Sequence, residues 1–485
     1  MIVENRIVKT SIGSFLQMGL LSLSSLVITI FLSRLLTVEE FGIYSLVNAL
    51  VFFLIIVFTG GIPSSMARFL SITGDRVSRN NVITKGLKIL LPWLLICSGL
   101  YFLFYKYFIV HIFNEYYFSG LGVIIFLLVL VEVARQLIEK LSHGVSRMSI
   151  AAELSAYSAL LLIVMSVVAA WLYATAQAVL IAKYLALLLP IPLVLKKLVE
   201  VFQQSISTTD PVSVRSKEII SYGIPLSIVS LAAYCFLQAD LIFLARYSDA
   251  SSVGLYSICI FIYMRLTIFP RAIGNGLAPY LARTGYSQDG IAKLELGMSY
   301  ALMFSVPVTL FFMAESDVFL TLVFGEKYSP VSPILSLLSL YFLMASLLAV
   351  LNPILDFSGK ASVRAVGVVA GGLVNICLDF IWIPVYHFQG AAWATLAGYF
   401  VFFIVVTLNL EKKVLKSLFR SDKIRRIIFV CFIMALIIVV TKYFLPIYSA
   451  AMITASFILL YPLLLLFFNV FSIDEIKSTL VRLTR

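Results

Sequence analysis

Two basic residues sit where a bilayer tolerates them least. Lys183 lies about eight residues into the apolar run 175–196, near 12 Å deep at about 1.5 Å per residue, and Arg265 lies inside the run 251–275. A central ammonium or guanidinium costs from about 3 to more than 10 kcal/mol and is normally kept facing a wet cavity or a counter-charge. Their chemistry suits a phosphate or diphosphate, because Arg forks onto two oxygens while Lys acts as a movable point charge. Three further residues are candidates for a polar wall. Arg34 stands at the outer end of the first apolar run, where snorkelling to headgroups is the plainer reading. Asn48 can hydrogen-bond across helices or touch a sugar, and both readings stay open. Asn375 belongs to a stripe, Gly367, Gly371, Asn375 and Asp379, at successive four-residue steps. That spacing serves close helix packing or a cavity wall with a cation or proton site at Asp379. Asp240 and Asp356 are two more carboxylates suited to ion coupling, and Glu132 and Arg135, three apart, are expected to pair with each other.

Other chemistry finds no support. The five cysteines (Cys97, Cys235, Cys259, Cys377, Cys431) lie in apolar runs without C-x-x-C spacing, and His111, His143 and His387 are scattered. A disulfide framework or a metal centre is therefore not expected, nor is a catalytic constellation. Glu39 and Glu40 fall in the first outer loop, where a lipid-phosphate glycosyltransferase would keep a base. The matching residues of the second half are Ser251 and Ser252, and no sizeable outer domain exists to hold an acceptor.

These residues must be positioned by membrane helices. Of the 485 residues 61% are hydrophobic and 12% charged, with a mean hydropathy of +1.05, whereas a soluble domain is about one-quarter charged. Runs at 11–33, 43–66, 86–108, 117–139, 149–172, 175–196, 218–245, 251–275, 294–314, 332–356, 362–384, 388–410, 426–445 and 448–470 are each long enough to span about 30 Å of hydrocarbon. The first run lacks a small-residue cleavage site and reads as a retained helix. The expected fold is an all-α polytopic membrane protein of about fourteen transmembrane helices. It comprises an N-lobe (1–197), a cytoplasmic linker (198–217), a related six-helix C-lobe (218–410), and two extra helices with a tail (411–485). Basic residues collect in alternate loops, which by the positive-inside rule puts both termini and the Lys412 to Arg426 loop in the cytoplasm. The net charge of +12 is thereby topological and meets anionic lipid, so no nucleic-acid partner is expected.

The halves resemble each other. FLSRLLTVEEFGIYS (Phe31 to Ser45) aligns without gaps on FLARYSDASSVGLYS (Phe243 to Ser257), sharing Phe-Leu-x-Arg and Gly-x-Tyr-Ser. Six helices per lobe, an even number, make the repeats parallel about an axis along the membrane normal, which places a substrate site at their interface. Arg265 matches Phe53, and Lys183 matches Ala397 or Gly398. A charge present in one half alone leans towards function rather than architecture.

The segment Arg34 to Ser45 is similar to the helix 1 to helix 2 signature of Wzx-type polysaccharide flippases, in the multidrug/oligosaccharidyl-lipid/polysaccharide exporter superfamily. The resemblance covers helices 1 to 12. It implies a multi-pass protein of the cytoplasmic (inner) membrane that moves a polyprenyl-diphosphate-linked oligosaccharide to the outer leaflet by alternating access. Membrane lipids and other glycan assembly proteins are the implied partners, with no cofactor, and with the membrane potential, protons or sodium ions as driving force. Two alternatives stay open. A cation-coupled multidrug antiporter of the same superfamily calls for an acidic cavity, yet Ile12 to Ser33 contains no Asp or Glu. A membrane glycosyltransferase or polymerase calls for a large outer loop.

Cysteine labelling tests the topology: the 411–425 loop and both termini should be reached only from the cytoplasmic side, and Gln177 and His387 only from outside. An external C-terminus would overturn the fourteen-span reading.

Overall fold

The computed structural model describes residues 22–73, 76–112, 120–203, 214–444, 453, 456–468 and 470, and every regular element among them is helical. That follows from the solvent: hydrocarbon offers backbone N–H and C=O groups no partner, so each span must satisfy its own. The chain forms two compact units, Met1–Ser257 and Ile258–Arg485.

The first unit holds α1 (Ser22–Leu35), α2 (Val38–Thr59), α3 (Ile62–Ile72), α4 (Arg76–Ile112), α5 (Leu121–Gly144), α6 (Met148–Tyr173), α7 (Ala176–Leu188), α8 (Ile191–Gln203) and α9 (Ser216–Tyr247). The repeated signature starts two helices in the same way. Thr37 Oγ1 accepts from the Glu40 N–H (3.2 Å) at the head of α2. At the matching position Asp249 Oδ1 accepts from the Ser252 N–H (2.7 Å) at the head of α10 (Ala250–Leu266). Each is a side-chain N-cap on otherwise orphaned donors.

The two segments then cross each other. A Cβ on Gly42 would lie 1.8 Å from the Ala250 carbonyl oxygen, and one on Gly254 would lie 2.2 Å from that of Val38. The matching serines meet as well, Ser257 Oγ lying 3.0 Å from Ser45 Oγ. The shared Gly and Ser positions are thus a self-complementary helix crossing, the close approach that small residues permit in membranes.

The run expected at 43–66 proves to be two helices. Gly60 and Gly61 adopt positive φ (53° and 70°), a conformation open to glycine, and end α2 before α3 begins. Beyond that break Ser65 Oγ donates to the Ile219 carbonyl (2.9 Å) and Lys85 Nζ to that of Val214 (2.7 Å). Ile219 joins the buried core of Met66, Leu90, Ile138 and Leu154. Hence α9, expected to open the second half, packs within the first unit.

The second unit continues from α10 through α11 (Ile268–Thr284), α12 (Gln288–Val323), a 3-10 turn (Glu326–Val331), α13 (Ser332–Phe357), α14 (Ala361–Leu408), α15 (Lys412–Arg420), α16 (Asp422–Phe444) and α17 (Tyr461–Phe467). Prolines 307 and 353 lie inside helices, but the breaks in backbone geometry fall elsewhere. Glu315 is non-helical within α12 and His387 (φ 49°) folds α14 back on itself, whereas Thr267, between α10 and α11, keeps helical geometry so that the two form one span. Gly390 then abuts the Trp382 backbone and Gly367 the Phe402 ring, so the two arms of α14 run antiparallel.

Ten helical stretches among the described residues are long and apolar enough to span a membrane, and α9 is an eleventh, bent by 56°. The fold at His387 divides α14 into two arms, and the expected first and last runs, 11–33 and 448–470, lie partly outside the described residues, which hold α1 and α17 within them.

The Gly42–Gly254 crossing predicts that Gly42→Val abolishes accumulation of folded protein, read as a monodisperse peak in detergent. Gly99→Ala, where no heavy atom lies within 4 Å of the new Cβ, should leave that peak unchanged.

Candidate functional site

In the first unit the structure brings two of the expected residues into contact. Lys183 Nζ, on α7, donates to Asn48 Oδ1 on α2, whose amide nitrogen donates in turn to the Tyr44 carbonyl (2.7 Å). Lys183 also lies within electrostatic range of Glu132 on α5. The expected Glu132–Arg135 pair is present, with Arg135 Nε at 2.7 Å from Glu132 Oε2. Arg135 makes a second pair, with Glu139 one turn on. Two carboxylates, one guanidinium and one ammonium form a charge-balanced cluster, with each charge near its opposite as a low-dielectric interior requires. Lys183 has three donors and Asn48 takes one. The cluster can therefore offer N–H donors to an anion without carrying a net charge of its own.

The other candidates of this unit lie apart from that cluster. Asp240 is buried and accepts from the Tyr256 hydroxyl (2.5 Å), a partner sixteen residues away in sequence. Arg34 is exposed at the end of α1, the position suited to a headgroup. Glu40 has a structural task, its carboxylate accepting the backbone N–H of Ala176 (2.6 Å) at the head of α7. A carboxylate there complements the positive end of the helix dipole.

In the second unit Arg265 stands two residues before Thr267, where α10 runs on into α11, with its guanidinium 5.1 Å from the Phe261 ring. Arg265 lies, as expected, inside a continuous helical span, Ala250–Thr284, because Thr267 keeps helical geometry and its N–H still bonds the Tyr263 carbonyl (3.0 Å). Gly367, Gly371, Asn375 and Asp379 all face the interior of α14, as their spacing predicts, and Asn375 and Asp379 are fully buried. The register of the α14 hairpin brings buried Thr395 level with Asn375. Asp356 pairs with Arg364 across the α13–α14 turn.

Several partners escape a linear reading. Glu139 is signalled by its four-residue offset from Arg135. Tyr256 and Arg364 are not signalled, nor is Glu315, which lies buried at the α12 kink with its Oε1 3.6 Å from Lys442 Nζ. Among the described residues no group of His, Cys, Asp and Glu side chains is arranged to hold a metal ion.

Charge balance predicts strong coupling. Lys183→Met should lower the thermal unfolding temperature in detergent, and Glu132→Gln in the same chain should restore most of the loss. A double-mutant cycle should return a coupling energy of about 1–3 kcal/mol. Additive effects would mean that the two residues are independent.

The polysaccharide biosynthesis protein family model (Polysacc_synt) matches residues 8–285, more than half of the chain. No curated protein sequence matches. Among solved structures the chain is similar to the lipid II flippase MurJ in an inward closed conformation, with a TM-score of 0.70 at 14% identity over 94% of this chain and 98% of that one. It is also similar to an inward-facing multidrug resistance MATE family transporter of the MOP superfamily (TM-score 0.57, 12% identity, 84% and 99% covered). A third match is the eukaryotic MATE transporter AtDTX14 (TM-score 0.57, 15% identity, 86% and 99% covered). At such identities the likeness is one of fold. With the family match across the repeated signature, the helical architecture and the fold of these transporters, the chain belongs to the polysaccharide biosynthesis protein family and is a multi-pass membrane flippase or transporter.

Proposed function

We propose that the protein carries a polyprenyl-diphosphate-linked oligosaccharide from the cytoplasmic to the outer leaflet of the cell membrane by alternating access. The observation that carries this reading is the family match over residues 8–285, which includes both signature segments. The fold likeness to a lipid II flippase over 94% of the chain agrees with it. The cationic side chains within the spans, Lys183 and Arg265, suit a diphosphate, with Arg34, Asn48 and Asn375 as further polar contacts for the head.

The driving force follows from the charge of such a cargo. A diphosphate diester carries about two negative charges, and outward movement through an inside-negative potential releases about 2.3 kcal/mol per charge per 100 mV. The potential alone is therefore sufficient, and Asp379, Asp240 and Asp356 are the residues for proton or sodium coupling if it is chemical.

Reconstitution in proteoliposomes tests the proposal. A fluorescent polyprenyl-diphosphate oligosaccharide should cross the bilayer at a rate that falls when the electrical potential is collapsed. Arg265→Ala should slow it at least about tenfold at normal protein level, and Arg265→Lys should recover little of that, because the bidentate fork is lost. Transport of organic cations with no movement of the lipid-linked sugar would overturn the proposal in favour of a multidrug antiporter. Flipping that persists at zero potential but stops without a proton or sodium gradient would transfer the coupling to the carboxylates.

A further inference from the structure

Within the second unit a cavity of about 420 Å³ is walled by α11, α13 and α14. Its polar lining comprises Arg271 and Asn275 on α11, Asn352 and Asp356 on α13, and Arg364 and Tyr399 on α14. Arg271 and Asn275 stand one helical turn apart, as do Asn352 and Asp356, so each helix presents one charged group and one amide to the same space. The charges are unequal. Asp356 is committed to Arg364, at side-chain exposures of 28% and 42%, whereas Arg271 makes no salt bridge among the described residues. The Asn352 Oδ1 atom is buried and accepts no hydrogen bond among them. A buried, unsatisfied amide oxygen in a cavity also lined by two arginines is costly unless a hydrogen-bond donor completes it.

We propose that this cavity is an anion subsite for the sugar-diphosphate head of the cargo, and that Asp356 is a built-in stand-in for the ligand's phosphate. The proposal rests on the reading of the protein as a lipid-linked glycan flippase. The Asp356 carboxylate already accepts from one nitrogen of the Arg364 guanidinium. An arriving diphosphate takes over Arg364, gains Arg271 on the facing helix, and leaves Asn275 and Asn352 to meet sugar hydroxyls. A volume of this size lies within the range of small-molecule pockets. The competition sets a selectivity: a singly charged anion gains little over the resident carboxylate, whereas a diphosphate bridging both arginines displaces it. It also resets the site, because Asp356 re-forms its pair as the head departs. The basic-loop alternation assigns this end of α13 and α14 to the cytoplasmic side, where cargo would load.

The test is equilibrium binding to the full chain in detergent, with geranyl-diphosphate-linked N-acetylglucosamine and inorganic phosphate as probes, alongside thermal unfolding of each variant. Asp356→Asn keeps the shape and removes the charge. It should bind the diphosphate probe about tenfold more tightly and should acquire binding of inorganic phosphate, because one repulsive carboxylate has left an anion site. Arg271→Gln and Arg364→Gln should each lose diphosphate binding. The double variant Asp356→Asn/Arg364→Gln should show no gain, which places the effect at the Arg364 fork. If Asp356→Asn lowers the unfolding temperature and leaves affinity and selectivity unchanged, the pair is only a tie between α13 and α14 and the proposal falls. Wild-type protein that flips a lipid-linked glycan while Asp356→Asn binds as wild type overturns this inference alone. Wild-type protein that neither binds the probe nor flips the glycan overturns the flippase reading and this inference with it.

Discussion

Hydrocarbon supplies neither water nor counter-ions, so every charge drawn into the spans must bring its own partner, and the internal polar contacts of this chain follow from that. Lys183 reaches Asn48, Arg135 holds Glu132 and Glu139, Asp240 holds Tyr256, and Glu315 faces Lys442. Between helices in lipid the hydrophobic effect contributes little, and packing with interhelical polar contacts does the joining. These pairs therefore act as struts: α2 to α7, α9 to α10, α12 to α16. On the proposed reading, an anionic cargo would meet cations that already have partners and would have to compete for them.

The second joining device is backbone approach. Gly42 against Ala250 and Gly254 against Val38 leave no room for a side chain, and the Ser45–Ser257 contact fastens the same crossing. A repeat in the sequence has become a self-complementary contact in space: the residues that match between the segments are those that touch. Thr37 and Asp249 begin the two helices by the same capping geometry with different side chains, so the repeat preserves a physical role where it does not preserve the residue.

Helix breaks set how the elements pack. In lipid an interruption survives only where protein or a wet cavity satisfies the freed groups. Gly60–Gly61 divides α2 from α3 and seats α9 in the first unit, while α10 and α11 run on through Thr267 as one span that keeps Arg265 inside it. His387, a residue with a side chain at positive φ, takes up a strained conformation of the kind that costs about 1–3 kcal/mol, and the close packing of Gly390 on Trp382 holds it there. Proline, the residue a sequence reading naturally selects as the site of a kink, lies inside α12 and α13 without being the point of rupture.

The amino-acid sequence by itself determined the class of solvent, the all-helical polytopic fold, the repeated segment, the Glu132–Arg135 pair and the buried stripe from Gly367 to Asp379. Each is a local property: mean apolarity over about twenty residues, or a three- or four-residue spacing along one helix, which the helical rise converts directly into position. Only the tertiary structure decided that Lys183 belongs with Asn48, 135 residues away, that Asp240 belongs with Tyr256, that α9 packs in the first unit, and that Arg271 and Arg364 share one cavity. Those pairings depend on how far each helix slides and rotates against its neighbours. Nearly uniform apolar surfaces leave that choice almost free locally, until a few glycine crossings and the requirement to pair every buried charge select one register.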